Sequence, residues 1–362
     1  MTVLDWTSVV AGVALALLVI VDVFLTIVHP DLEGRLAKGL QRETWRLAMA
    51  LGRAWRSHRR GLMALAGPVM TVFTFAVWIG LFVLACALVL WPFLDSYRNE
   101  PELGRLTFFD ALYYSGTTVT SLGYGDVTPL RGGLKVLAFF ASATGFGLFT
   151  GIVAYLIELI SGIDERNRFA LRVHDETDGE ERGAQLIIRS WRREDVQDLR
   201  ERYESWATVA RSVQDRLHRY AFASLFYRSK ERIYDPEPAL RVAAEAAIAG
   251  HLLVTDERWK RLAPAVEHLD MGITRLLGTI AEQYLGHEVT EAMASPSPSE
   301  ADQRYVDAVR DDLRSGLGDA FEPAGGEEPA LDLAFRCRTS LSRLDRITNW
   351  SEDCRFVPGW RE

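Results

Sequence analysis

"TTVTSLGYGDVTP", Thr117–Pro129, is the stretch on which the reading of this chain turns. Two glycines flank a tyrosine, an acid follows, and hydroxyl residues precede them. Long apolar runs lie on either side. Glycine takes positive φ without steric cost, so Gly123 and Gly125 mark backbone that alternates rather than extends. Such a segment between apolar runs leaves carbonyl groups that need a partner.

Outward from that stretch, the chain divides in two. It has 362 residues and a net charge of −8, with the first 160 residues strongly apolar and the rest polar and charged. The three cysteines, Cys86, Cys337 and Cys354, stand far apart, which excludes a disulfide scaffold or a cysteine zinc site. Three runs are long enough to span roughly 30 Å of hydrocarbon, which takes about 20 residues. They are Val9–Val28, Leu65–Phe93 and Leu134–Ile160. The first lacks the basic start and small-residue cleavage site of a signal peptide.

Basic residues set the expected orientation. Arg35, Lys38, Arg42, Arg46, Arg53, Arg56, Arg59 and Arg60 all lie between the first two spans, whereas "MTVLDW" carries none. The N-terminus is therefore expected outside, the 30–61 connection and the C-terminal half in the cytoplasm, and Thr117–Pro129 at the outer side. Leu32, Leu36, Leu40, Leu47, Leu51 and Trp55 recur at near-helical spacing among these arginines. The connection reads as an amphipathic helix on the inner membrane surface, where anionic lipids would be its partner, with a helix packed on the cytoplasmic domain as the alternative. Asp22 sits inside the first span, where a carboxylate costs roughly 2.5–3.5 kcal/mol on insertion scales. It is expected to face protein, pair with a donor or lie near the inner interface, with a structural ion pair to the cytoplasmic arginines preferred to a role in an ion pathway.

The segment before the glycines is itself patterned. In "TFFDALYYSGTTVT", Thr107 precedes Asp110 by three residues, a capping pattern, and helical spacing follows. The resulting helix is too short to cross the membrane and enters it only if buried in protein. Its C-terminal end carries partial negative charge, which favours a cation. Alternating backbone after it can turn several carbonyls to one side, and rings of such oxygens replace a cation's hydration shell.

"ALYYSGTTVTSLGYGD", Ala111–Asp126, resembles the pore helix and selectivity filter of tetrameric pore-loop potassium channels. The resemblance covers about 65–160. It implies that Ser121, Leu122, Gly123, Tyr124 and Gly125 form the K+-coordinating filter. It implies that Asp126, Thr117, Thr120, Tyr113 and Tyr114 support it, the tyrosines as an aromatic cuff. Gly145 matches an inner-helix hinge position, with close helix packing as the plainer alternative. Phe149, Val153 and Ile157, four residues apart, read as a hydrophobic gate. The usual Thr-Val before Gly-Tyr-Gly is Ser121-Leu122 here, a change that retains the oxygen ligands and alters the packing behind them. Thr117 stands where some bacterial channels carry a glutamate, which leaves a hydroxyl contact to Asp126 in its place. One pore segment per chain implies a homotetramer.

The rest supplies no chemistry of its own. No arginine series runs within a span, so no voltage sensor is expected. Residues 161–192 read as a charged linker, and "HDETDGEE" lacks the ligand spacing of a calcium loop. Val196, Leu199, Tyr203, Trp206, Ala210, Val213, Leu217 and Tyr220 form a heptad-like stripe that either pairs subunits or packs within one domain. Further helices are expected over 237–251, 256–294, 301–317 and 329–347. No dinucleotide-binding glycine pattern follows a strand, and His218, His251, His268 and His287 are scattered.

The expected architecture is an all-α membrane protein with three transmembrane helices and a re-entrant pore helix and filter. Its parts are an extra N-terminal helix (1–29), an amphipathic linker (30–61), a pore module (62–160), the charged linker (161–192) and a helical cytoplasmic domain (193–362). The expected function is passive K+ conduction in a bacterial inner membrane, not catalysis, with K+ as the permeant ligand and no other cofactor, metal or nucleic acid. The ligand of the cytoplasmic domain is not readable. The alternatives are a weakly selective cation channel and a non-conducting receptor or scaffold.

Overall fold

The computed structural model describes residues 3–29, 32–55, 59–99, 106–193, 195–219, 227–254, 259–321 and 325–348. The protein is an all-α membrane protein, with a single short ribbon among the described residues. Helices α1 (Val3–Ile27), α2 (Arg35–Ala54) and α3 (Arg59–Leu90) come first. A 3-10 turn (Trp91–Ser96), β1 (Tyr97–Asn99), α4 (Phe108–Val119), β2 (Val127–Pro129) and α5 (Gly132–Glu176) follow. Then come α6 (Ala184–Arg192), α7 (Val196–Arg219), α8 (Pro236–Leu253), α9 (Ala263–Ile280), α10 (His287–Ala294), α11 (Glu300–Leu317) and α12 (Glu327–Thr348). Val3–Ile27, Gly61–Ser96 and Gly132–Glu176 are long and apolar enough to cross a membrane. The chain forms two compact units, one of residues 1–57 with 65–159, the other of 58–64 with 160–362.

In the first unit, α1 lies directly on α3. Ser8 donates its hydroxyl to the Leu88 carbonyl at 2.7 Å, and a Cβ at Gly12 would stand 2.7 Å from the Ala85 carbonyl. Small residues and hydroxyl bonds are how apolar helices associate where no hydrophobic force separates helix from lipid. Thr71 and Thr74 return their hydroxyls to the carbonyls of Gly67 and Met70. The ribbon pairs β1 with β2 antiparallel, Tyr97 opposite Pro129 and Asn99 opposite Val127. Leu90, Tyr97, Tyr114, Val127 and Leu134 form the small core beneath it.

The second unit is built around α8. Ala239, Ala243, Ala244, Ala246, Ala247 and Ala249 are all buried, and short side chains let neighbouring helices approach closely. A Cβ at Gly250 would meet Val266 at 2.6 Å. α7 and α9 pack together, α9 and α12 each pack on α8. Leu199, Tyr203, Trp206, Ala210, Val213 and Leu217 of the α7 stripe are buried within this unit. The stripe therefore packs inside one domain; Tyr220 lies outside the described residues. Tyr203 is fully buried and donates its hydroxyl to the Ala246 carbonyl at 2.6 Å. A side chain of this class contributes about 1.5–3 kcal/mol by burial.

Two boundaries differ from the sequence expectation. Residues 161–192 are not a linker. α5 continues to Glu176 and buries Phe169, Ala170 and Val173, while α6 buries Leu186, Ile187 and Ile188. Most charged residues of these helices are exposed or half-buried, Arg166 being buried, and the spaced apolar ones carry the packing. The helical domain expected from 193 thus begins near 160. α5 stops where Asp178 and Gly179 take positive φ, with the Gly179 N–H bonded to the His174 carbonyl at 2.8 Å. The helix expected over 256–294 is broken by a wide turn, Ala281–Leu285, that ends on Gly286 at φ 88°.

Candidate functional site

α4 starts as the sequence indicates. Thr107 and Asp110 form a reciprocal capping box, with the Thr107 N–H donating to the Asp110 carboxylate at 2.6 Å. This satisfies two of the free N–H groups of the first turn. Twelve residues at 1.5 Å rise give a helix of about 18 Å, well short of a span.

The chain then folds back on the helix end. The Thr117 carbonyl accepts the N–H groups of Leu122 at 2.9 Å and Gly123 at 3.2 Å, and the Thr118 carbonyl accepts that of Ser121 at 3.1 Å. Beyond this anchor, φ is positive at every second residue: Ser121 (60°), Gly123 (55°) and Gly125 (82°). Open space surrounds both glycines, so a Cβ there would meet no neighbour. The glycines are needed for backbone conformation, not for room. Ser121 has no such freedom, and a non-glycine residue in this region stores about 1–3 kcal/mol. Its hydroxyl lies 3.3 Å from that of Ser142 on α5. A backbone alternating in this way turns successive carbonyls to one side.

Asp126 is held by a neighbour other than the one expected. Tyr113 donates its hydroxyl to Asp126 at 2.9 Å, while the Thr117 hydroxyl returns to the Tyr114 carbonyl at 3.0 Å. The Tyr113 and Tyr124 rings lie parallel, 6.5 Å apart. Tyr114 is buried edge-on against Tyr97. Thr120 bonds back to the Gly116 carbonyl at 2.7 Å. Leu122 and Tyr124 are exposed in the single chain, Tyr124 on the side away from Tyr113.

Gly145 faces the end of α4. A Cβ there would stand 2.1 Å from the Val119 carbonyl, which gives this glycine a packing reason independent of bending. α5 is helical through it. Phe149, Val153 and Ile157 follow on α5, all exposed in the single chain.

Asp22 is buried, and its partners are not arginines. Its carboxylate accepts the Leu36 N–H at 2.8 Å, the Ala37 N–H at 3.1 Å and the Trp78 indole N–H at 2.9 Å. It caps the first turn of α2 from another helix, and among the described residues no ion pair to an arginine is formed. The expected ion pair is replaced because free N–H groups and the helix dipole supply the same compensation at shorter range. Gly34 precedes α2, its N–H donating to the Thr26 hydroxyl at 3.0 Å. Glu33, in the same turn, is pushed up to about 7, chiefly by burial. α2 itself buries Ala37, Gln41, Trp45 and Met49 and leaves Leu47 and Leu51 exposed; Trp55, just past its end, is exposed too. Arg56 and the side chains of Arg53, Arg59 and Arg60 lie outside the described residues.

Residues 70–162 match the family described as "Ion channel". This stretch is a pore-loop ion-channel module. The matched segment holds most of α3, all of α4, the alternating backbone and the first part of α5. Across a wider span, the chain is 24% identical over 255 residues to "Uncharacterized membrane protein YdjJ" of Bacillus subtilis (strain 168). That match covers 68% of this chain and 71% of the relative. No solved structure matches the chain. α1 and α2 precede the matched pore module. Four residues around the module escaped the sequence reading: Trp78, Tyr97, Val119 and Ser142. Of these, Trp78 carried a signal, because an indole N–H inside an apolar run needs an acceptor.

Proposed function

We propose that four copies of this chain form a potassium-selective channel. The observation that carries this is the alternation of φ at Ser121, Gly123 and Gly125 directly after an anchored short helix. Four such strands around one axis stack rings of carbonyl oxygens from Ser121 to Gly125. A K+ ion exchanges its water shell for these oxygens and passes between neighbouring rings. The Ser121 hydroxyl adds a ligand at the inner end, and the C-terminal ends of the four α4 helices add negative potential there. Asp126 closes the outer mouth, braced by Tyr113. Exposure of Leu122 and of the outer side of Tyr124 in one copy supports the tetramer, in which a neighbouring copy covers them.

In this reading the N-terminus is outside and residues 160–362 are cytoplasmic. α2 lies on the inner surface, its Leu47–Leu51 face in the lipid and Arg35, Lys38, Arg42 and Arg46 toward anionic headgroups. Phe149, Val153 and Ile157 line the inner pore and close it by dewetting.

Purified protein in liposomes, with opposed K+ and Na+ gradients, tests the proposal. The reversal potential should follow the K+ gradient. A potential that ignores it, with flux present, indicates a weakly selective cation channel. Absence of flux from correctly assembled protein indicates a receptor or scaffold.

A further inference from the structure

In the second unit, the end of α5, α6 and the start of α7 enclose a partly open cavity of about 180 Å³. Its lining is almost wholly polar, with four carboxylates and three guanidiniums. Five of these seven are matched to one another. Arg189 pairs with Asp178, and Arg202 pairs with Asp198 at 2.7 Å and Glu176 at 3.7 Å. Two are left over, Asp175 on the last turn of α5 and Arg193 at the end of α6. They are opposite in charge, and among the described residues neither side chain has a hydrogen-bond or ion-pair partner. A third lining group is also unmet. Ser190 is 4% exposed, and its hydroxyl bonds to no described residue and is not sealed off. It stands three residues before Arg193, on the same face of α6.

The leftover groups indicate the occupant. A lone anion would find Arg193 and Ser190 but would face four carboxylates against three guanidiniums. It would also face the C-terminal ends of α5 and α6, which carry partial negative charge. A lone cation would leave Arg193 unmatched. An apolar body would strand the charged groups and touch little of its own kind but Leu186. A cavity of about 150 Å³ accepts benzene, so 180 Å³ holds a molecule slightly larger. We infer that this cavity binds a small polar zwitterion of the amino-acid class, its carboxylate on Arg193 and Ser190 and its ammonium on Asp175. The pairs Arg189–Asp178 and Arg202–Asp198 hold other charges of the wall to one another, so the two single groups set the polarity of the ligand. Binding of this kind is independent of conduction through the pore.

Equilibrium dialysis of the full chain in detergent micelles against radiolabelled L-serine, which suits the volume, tests the site. One saturable site per chain is expected. Acetate and methylammonium each carry one of the two charges and should displace the label far less than unlabelled L-serine does. Arg193→Gln and Asp175→Asn should each weaken L-serine about tenfold or more, and Ser190→Ala severalfold. Asp175 and Arg193 are exposed, so the thermal midpoints of these two variants should match the wild type. Arg192→Gln, beside Arg193 but outside the cavity lining, should bind as the wild type does. Three outcomes overturn the inference: no saturable binding of L-serine, wild-type affinity in any of the three cavity variants, or displacement by acetate as strong as by L-serine itself.

Discussion

Two buried carboxylates, one in each unit, solve the same problem in different surroundings. Asp22 on α1 accepts two N–H groups from the first turn of α2 and the Trp78 indole. Glu245 on α8 accepts the Ala184 N–H at the start of α6, at 3.4 Å, and the Tyr305 hydroxyl at 2.8 Å. Each acid caps a helix other than its own and takes one aromatic donor. Each capped helix has glycine before its first turn, Gly34 and Gly183, and neither glycine has a side chain to cap with. The difference is in the completeness of the match. Asp22 has three donors within 3.1 Å, whereas Glu245 has one close donor and one long one, and burial pushes its carboxyl upward. A carboxylate in an apolar span persists only with such full compensation. In a protein core, a partly compensated one can instead hold its proton.

The largest test removes the better-matched acid. Asp22→Ala leaves the Leu36 and Ala37 N–H groups and the Trp78 indole without an acceptor, each costing roughly 1–3 kcal/mol when buried. α2 should come away from α1 and α3. Hydrogen exchange should rise sharply across residues 35–40 while α8 and α9 stay protected. Asp22→Asn keeps one acceptor and should fall between. Unchanged protection at Leu36 and Ala37 in Asp22→Ala would show that α2 is held by other contacts.

The comparison also shows what was legible in the sequence. The capping box of Thr107 and Asp110 is readable because both partners are side chains at fixed spacing. The freedom expected of Gly123 and Gly125 is used as positive φ, but the same conformation at Ser121 has no residue signature. That Asp22 needs a donor is legible, but which donor is not, because two of them are backbone groups, which every residue carries. Gly34 was the available clue, since a helix start without a side-chain cap must find one elsewhere. The extension of α5 was hidden by the many charges around Phe169, Ala170 and Val173. Three-residue strands such as β1 are too short to show a period.

The two glycines offer a test of intermediate size. A Cβ at Gly34 would lie 2.3 Å from Asp22 Oδ1 and 2.6 Å from the Asp22 carbonyl oxygen. A Cβ at Gly183 would lie 2.3 Å from the Ala246 nitrogen and the Val242 carbonyl oxygen. Overpacking of this kind costs typically 1–3 kcal/mol. Gly34→Ala should loosen α2 alone and Gly183→Ala should loosen α6 alone, read by hydrogen exchange in the same preparations. Equal loosening of both helices by either substitution would mean that the two caps are not independent.

The smallest effect concerns protonation of Glu245. Its carboxyl is raised above 4.5 chiefly by burial, with Tyr305, Ala184, Arg182 and Arg241 opposing. A raised carboxyl contributes stability that is full below its unfolded value and is lost as pH climbs through the higher folded value. The second unit should therefore lose stability through this group as pH rises above about 4.5. Asp302 shifts the opposite way, held down by Arg338 and Ser299 against its own burial, so the total pH profile mixes both signs. The difference between wild type and Glu245→Gln isolates the one group. Glutamine keeps an acceptor for Tyr305 and carries no charge at any pH. The thermal midpoint of the second unit should be similar in both proteins at pH 4.5 and should favour Glu245→Gln progressively toward pH 8. A constant offset between the two across that range would mean that Glu245 stays ionised throughout.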